Sequence, residues 1–354
     1  MEIQFKSNPQ GYLIYAAMVG CLLAWVPAQL AAIIRFRKQM NAMVIRAIVF
    51  FSCVCVVVSI VAGANWIRQG MSSSKPLIIT HLYVAATCLG ICLIGLAAMG
   101  LAWLFREFHS ISADSLRIVS LLLDIFSIVW LSIATIVVVG AFAYRWYNVL
   151  HVPMQNLFEV FLTLGLLAIP ISLSCRWFLK LKSPATDLLL AVIVLFPAGF
   201  VFNANPQYLP PALQSWLFAP HVAVYMLSYL FMAKAAIQAV FQLWTRGLAD
   251  DNLQYEKATY QMVCAGFPLL TLGLILGSYW GKLAWGDYWG WDPKELWSLA
   301  SWLVFLVYFH FRYMFGRKHP NINSLLAILG MVAIIITLLW VNLSRIFSGM
   351  HSYA

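Results

Sequence analysis

The sequence predicts an all-α polytopic membrane protein of about ten transmembrane helices, with both termini on the extracytoplasmic side. Of its 354 residues 63% are hydrophobic and only 10% charged, with a mean hydropathy of +0.86. That composition excludes an ordinary soluble globule. Apolar runs long enough to cross a bilayer, roughly 20 residues or more, recur along the whole chain. Lys and Arg are also divided unequally between alternating connections, which sets the orientation.

The runs fall at 12–34, 43–67, 79–104, 117–143, 155–174, 186–203, 218–243, 260–281, 296–315 and 324–346. The first follows Met1–Gly11 without a basic n-region or a convincing cleavage site, so it is expected to stay as a span. The fourth carries a lone acid, Asp124, and the sixth is interrupted near its end by Pro197 and Gly199. One set of connections, with Arg35, Arg37, Lys38, Arg46, Arg317 and Lys318 among its members, holds fourteen Lys and Arg; the opposite set, including both termini and Arg145, Lys282 and Lys294, holds seven. Two to one makes the first set cytoplasmic. The net charge of +10 is mostly this bias, directed at anionic lipid heads, and needs no nucleic-acid partner. Lys234, near the inner end of the seventh span, is expected to snorkel. The seven cysteines lie inside or at the inner ends of apolar runs and include no Cys-x-x-Cys. A disulfide framework and a thiol relay are disfavoured, and without Cys-x-x-Cys-His the chain is not itself a c-type cytochrome.

Residues 285–297, Trp-Gly-Asp-Tyr-Trp-Gly-Trp-Asp-Pro-Lys-Glu-Leu-Trp, put Trp285, Tyr288, Trp289, Trp291 and Trp297 in one short segment at the outer membrane surface. Such rings form either an interfacial aromatic belt or a platform for a flat apolar ligand. Gly286 and Gly290 favour the platform, because they let a ligand plane approach the backbone. Asp292, Pro293 and Glu295 read as the N-cap, N1 and N3 of the next helix, a capping box.

His221, at the outer start of the seventh span, and His351, beyond the outer end of the last, share the depth of this loop. Two imidazoles beside an aromatic surface suit a six-coordinate haem iron; ordinary interfacial histidines are the plain alternative. His310 lies about 21 Å along its helix, in the cytoplasmic half, where an ionisable group is a functional candidate. His81 reads as structural, and His109 and His319 as solvated. His151, with Asn156 and Glu159, either lines the outer cavity or caps the fifth span.

The run from Trp285 to Glu295 resembles the signature of the WWD haem-handling membrane proteins, and its Asp-Pro-Lys-Glu ending resembles the CcsA (ResC) branch of System II cytochrome c biogenesis. The stretches His151-Val-Pro-Met-Gln-Asn-Leu-Phe-Glu, Pro211-Ala-Leu-Gln-Ser-Trp-Leu before His221, Tyr308-Phe-His310-Phe-Arg312 and Gly349-Met-His351-Ser-Tyr support it, in order, across 144–354. The resemblance implies a haem-handling domain at 111–354 with its WWD loop at 285–297, and a transmembrane extension of unknown role at 1–110. It implies haem b as substrate and bound ligand, with His221 and His351 as axial ligands at the WWD site. Trp285, Trp289, Trp291 and Asp292 would stand around that site, and His310 would ligate haem in transit. Its implied partners are a CcsB (ResB)-like membrane subunit, an apocytochrome c with Cys-x-x-Cys-His, and a thioredoxin-like thiol reductant. The function implied is presentation of haem for thioether attachment, as one subunit of a cytochrome c synthase in a bacterial cytoplasmic or a thylakoid membrane. A CcmC-like haem exporter or delivery chaperone is the alternative. A b-type electron-transfer cytochrome fits less well, since no span carries two histidines 13–14 residues apart.

Overall fold

The computed structural model describes residues 9–36, 113–179, 184–244 and 249–343. The spans expected at 43–67 and 79–104 lie outside these residues, as do His81, His109 and His351. Among the described residues the backbone is helical, without strands. The helices are α1 (Pro9–Phe36), α2 (Ala113–Val149), α3 (Leu157–Phe178), α4 (Pro184–Phe196), α5 (Phe218–Trp244), α6 (Ala249–Trp285), α7 (Pro293–Phe315) and α8 (Pro320–Ile335). α4 and α8 each run on into a π-turn, at Pro197–Val201 and Ile336–Trp340.

Eight of the expected spans fall on described residues, and seven of them are helices long and apolar enough to cross a membrane. The eighth is short: the apolar segment Thr186–Val201 ends in the π-turn that begins at Pro197, where the ring removes a backbone donor. Large side chains such as Ile275, Val307 and Leu329 are exposed along these helices, as lipid-facing surfaces require.

The chain divides into two units, Phe5–Val137 and Val138–Ala354 together with Met1–Gln4, with the boundary inside α2. In the first, α1 meets α2 through the Ser127 hydroxyl, which donates to the Ala24 carbonyl at 2.8 Å. In the second, α5 and α6 form the central antiparallel pair. α3 packs on α4 and α5, while α8 packs on α5, α6 and α7.

Two cations sit differently from the sequence expectation. Lys234 does not snorkel: it is 3% exposed, paired with Asp187 of α4 and 3.4 Å from the Ser172 hydroxyl of α3. A carboxylate within reach satisfies the ammonium in place, where extension to water would cost the packing of its stem. Arg145, counted above as an outward loop charge, is 1% exposed on α2. Its Nε and Nη2 donate to Glu159 Oε1 at 2.9 and 2.8 Å, Nη1 reaches the Ala204 carbonyl, and the guanidinium lies 5.1 Å from the Phe158 ring centre. At the opposite end of the unit Glu256 of α6 receives Arg312 of α7 and Asn323 of α8, which closes those three helices together.

Candidate functional site

The Trp-rich loop is held in shape by local bonds. Asp292 (φ −62°, ψ 147°) caps α7 by accepting from the Lys294 N–H at 2.9 Å. Glu295 Oε2 reaches back to the N–H groups of Gly290 at 2.8 Å and Asp292 at 3.2 Å, completing the capping box. The Ser278 hydroxyl of α6 donates to the Tyr288 carbonyl at 2.9 Å, and the Lys282 ammonium lies 5.5 Å over the Tyr288 ring. Two residues carry positive φ, Gly286 at 91° and Trp291 at 56°. For tryptophan that conformation costs about 1–2 kcal/mol, which the cap and the loop bonds must outweigh.

Beneath this loop lies a cavity of about 200 Å³. Its walls are the turn into α3 (Met154, Asn156), α5 (His221, Tyr225), α6 (Gly277, Trp280), the loop (Tyr288, Trp289), the start of α7 (Lys294, Ser298) and the π-turn of α8 (Thr337, with Asn342 just beyond). The turn into α3 is fixed by the buried ion pair. Glu159, bound by Arg145, also accepts from the Gln155 N–H through Oε2 at 2.8 Å, and Asn156 caps α3 by accepting from the Glu159 N–H at 3.0 Å. Asn156, not His151, is thus the cap. The His151 Nδ1 lies 3.0 Å from the Val152 carbonyl, and its Nε2 has no hydrogen-bond partner among the described residues.

His221 is seated against the backbone of α6. Its Nδ1 is 3.0 Å from the Gly273 carbonyl; a carbonyl only accepts, so Nδ1 carries the proton and Nε2 is left as the basic nitrogen. The ring stacks on Trp280 (centres 5.8 Å apart, planes 24°) and meets Tyr225 edge-on at 5.1 Å. Two glycines make the seat. A Cβ at Gly277 would come within 2.5 Å of the imidazole, and one at Gly273 within 3.0 Å of the Tyr225 ring. Trp280 is in turn held by its indole N–H, which donates to the Ala212 carbonyl at 3.1 Å.

The aromatic residues of the loop do not share one plane. Tyr288 and Trp289 line the cavity, whereas Trp285 packs edge-on against Trp280, 4.8 Å between centres, in a cluster with Leu213, Leu217 and Phe218. Trp291 meets Trp289 edge-on at 6.2 Å but is 69% exposed, and Asp292 is buried at the cap. His310 does not line this cavity. It lies exposed on α7 beside a shallow groove formed with Leu306, Val307 and Tyr313. His351 is outside the described residues; of the two described histidines singled out, His221 stands in the cavity wall and His310 does not.

Trp280, Tyr225, Gly273, Gly277 and Ser298 were not among the residues the sequence reading selected. Their signal is the pairing of two spacings: His221 and Tyr225 one turn apart on one span, and Gly273 and Gly277 one turn apart on the next.

The family described as cytochrome C assembly protein matches residues 96–348. The protein named cytochrome c biogenesis protein CcsA from Guillardia theta is 34% identical over 246 residues, 59% of this chain and 79% of that protein. Its namesake from Prochlorococcus marinus (strain MIT 9303) is 31% identical over 271 residues, 63% of this chain and 82% of that protein. The CcsA of Synechococcus elongatus is 30% identical over 280 residues, 63% of this chain and 85% of that protein.

Proposed function

We propose, for a chain that belongs to the CcsA branch of the cytochrome c assembly protein family and acts in cytochrome c biogenesis, that it binds haem in the cavity under its Trp-rich loop and presents it there for attachment. His221 supplies one axial nitrogen and His351 the other; Trp289 lies against the ring, with Trp285, Trp291 and Asp292 shaping the loop around it. The observation that carries this reading is the His221 seat. An imidazole whose Nδ1–H is fixed by a carbonyl and whose rotation is limited by Trp280 and Gly277 is oriented as iron-ligating histidines are. The cavity wall beside it is largely apolar and aromatic, as a porphyrin edge requires.

The reaction served is addition of a cysteine S–H across a vinyl C=C. An S–C bond forms, the thiol hydrogen goes to the other vinyl carbon, and no electron is gained or lost. The Cys-x-x-Cys-His of an apocytochrome would bring two thiols and a competing imidazole. Displacing one protein ligand with that imidazole would place thiols beside vinyl groups, which is catalysis chiefly by proximity. His310 would hold haem in transit, sharing the iron with a CcsB-like partner subunit, and its exposed position on α7 supports a ligand arriving from outside the chain. In this reading residues 111–354 form the haem-handling domain, residues 1–110 a transmembrane extension, and the whole works as one subunit of a synthase that a thioredoxin-like reductant supplies with reduced thiols. The loop would face the extracytoplasmic side of a bacterial cytoplasmic or thylakoid membrane.

Replacing His221 with Gly tests this. Cytochrome c maturation should be lost and partly restored by added imidazole, which refills the iron site; full maturation without imidazole would overturn the assignment. Co-purification of a CcsB-like subunit and Cys-x-x-Cys-His substrates supports the synthase, and haem transfer to a separate carrier supports a delivery chaperone instead.

A further inference from the structure

Addition of a thiol across a vinyl group moves a hydrogen from sulfur to one carbon while sulfur bonds to the neighbouring one. Direct transfer between such close positions is strained, so a side chain that takes the proton from sulfur and hands it on lets both bonds form at ordinary geometry. Most polar groups in the cavity wall are unsuited to that task. The hydroxyls are weak bases at neutral pH, and those of Ser278 and Thr337 are already turned to the Tyr288 and Ala333 carbonyls. The Lys294 ammonium has donors and no acceptor. His221 keeps Nδ1 on the Gly273 carbonyl and is assigned to the iron. Glu295 is the one carboxylate among the described residues that line the cavity, and a carboxylate can accept a proton and give it back.

The two oxygens of Glu295 are used unequally. Oε2 accepts from both the Gly290 N–H, at 2.8 Å, and the Asp292 N–H, at 3.2 Å, which fixes the half-buried carboxylate against the loop beside Trp289. Among the described residues no hydrogen bond goes to Oε1. One oxygen therefore anchors the group, and the other is open for chemistry. Resting on the haem reading above, we propose that Glu295 relays the proton of the attachment reaction. Oε1 takes it from a cysteine thiol of the apocytochrome, the sulfur bonds to one vinyl carbon, and the same oxygen delivers the proton to the other. The carboxylate ends as it began, and no oxidant or reductant is consumed.

Glu295→Gln separates this role from capping, since Gln serves a capping box as Glu does but its amide takes no proton. Wild type and variant, purified from the membrane with haem and the subunits that accompany them, are mixed under reducing conditions with a peptide containing Cys-x-x-Cys-His. Thioether formation should fall about a hundredfold or more in Glu295→Gln, the weight of one general acid–base group. Haem content, absorption spectrum, peptide affinity and thermal stability should match the wild type. Thioether formation at the wild-type rate overturns the proposal. So does a comparable loss of haem content, peptide affinity or stability, which would make Glu295 a cap or a peptide contact. His221→Gly reports on the haem reading alone: if its haem content and spectrum are unchanged while Glu295→Gln still loses only thioether formation, the iron assignment fails and the relay stands. A wild type that forms no thioether product overturns both.

Discussion

His221 Nδ1 and the Gly273 carbonyl oxygen lie 3.0 Å apart, joining the first turns of α5 to the middle of α6. A backbone carbonyl cannot be removed by substitution, so this contact is a fixed orienting element. It sets which imidazole nitrogen is basic, and the glycines around it decide whether the ring can stay there.

Gly277→Ala should therefore act as a histidine variant without touching the histidine. The added Cβ would lie 2.5 Å from the imidazole, and the ring must leave the Gly273 carbonyl to make room. Haem retained after purification should fall about tenfold or more, as expected for the loss of a supported ligand. Gly140→Ala, where a Cβ meets nothing within 4 Å, should retain wild-type haem. Equal haem content in the two variants would show that the seat is not needed.

Trp289 and Trp291 should separate. Trp289 lines the cavity and Trp291 is 69% exposed, so Trp289→Ala should lower haem occupancy well below that of Trp291→Ala, with membrane insertion intact in both. Trp291→Gly, which suits a φ of 56°, should raise thermal stability by about 1 kcal/mol. A larger haem loss from Trp291→Ala would place the ring face elsewhere.

Asp292 should matter for its cap. Asp292→Ala should cost about 1 kcal/mol of thermal stability and loosen the loop, while Asp292→Ser, which still accepts from the Lys294 N–H, should recover most of both stability and haem binding. Failure of Asp292→Ser to recover either would assign the carboxylate a part beyond capping.

Much of this is legible in the sequence because it is local. A spanning helix must be about 20 apolar residues long, and seven of the described helices can be located by that alone. The capping box is legible because its partners are three residues apart. The Trp-rich run is only half legible: ring spacing suggests one platform, but the positive φ of Gly286 and Trp291 turns the rings toward different neighbours. Arg145 is misread because its position beside an apolar run resembles a loop charge, while its partners come from α3 and from the carbonyl of Ala204. The same holds for Lys234, whose carboxylate partner is 47 positions away. Trp280 is missed because a single Trp inside a span looks like packing, and only the fold brings it under His221.

The Arg145–Glu159 pair should be costly to break and cheaper to remove. Arg145→Met or Glu159→Gln alone leaves the other group buried at 1% exposure, a loss of about 3–5 kcal/mol in unfolding experiments, whereas the double change to Met at both positions should cost much less. Additive losses would show that the two side chains act separately.

That pair also has a consequence for biogenesis of the chain itself. A guanidinium on the way to full burial at the end of α2 is an obstacle to releasing that helix alone into lipid, and Glu159, fourteen residues later, is the group that neutralises it. α2 and α3 are thereby expected to leave the insertion machinery as one hairpin. The Ala204 carbonyl then closes over the guanidinium, so the ion pair is fully enclosed only after α4 has been synthesised.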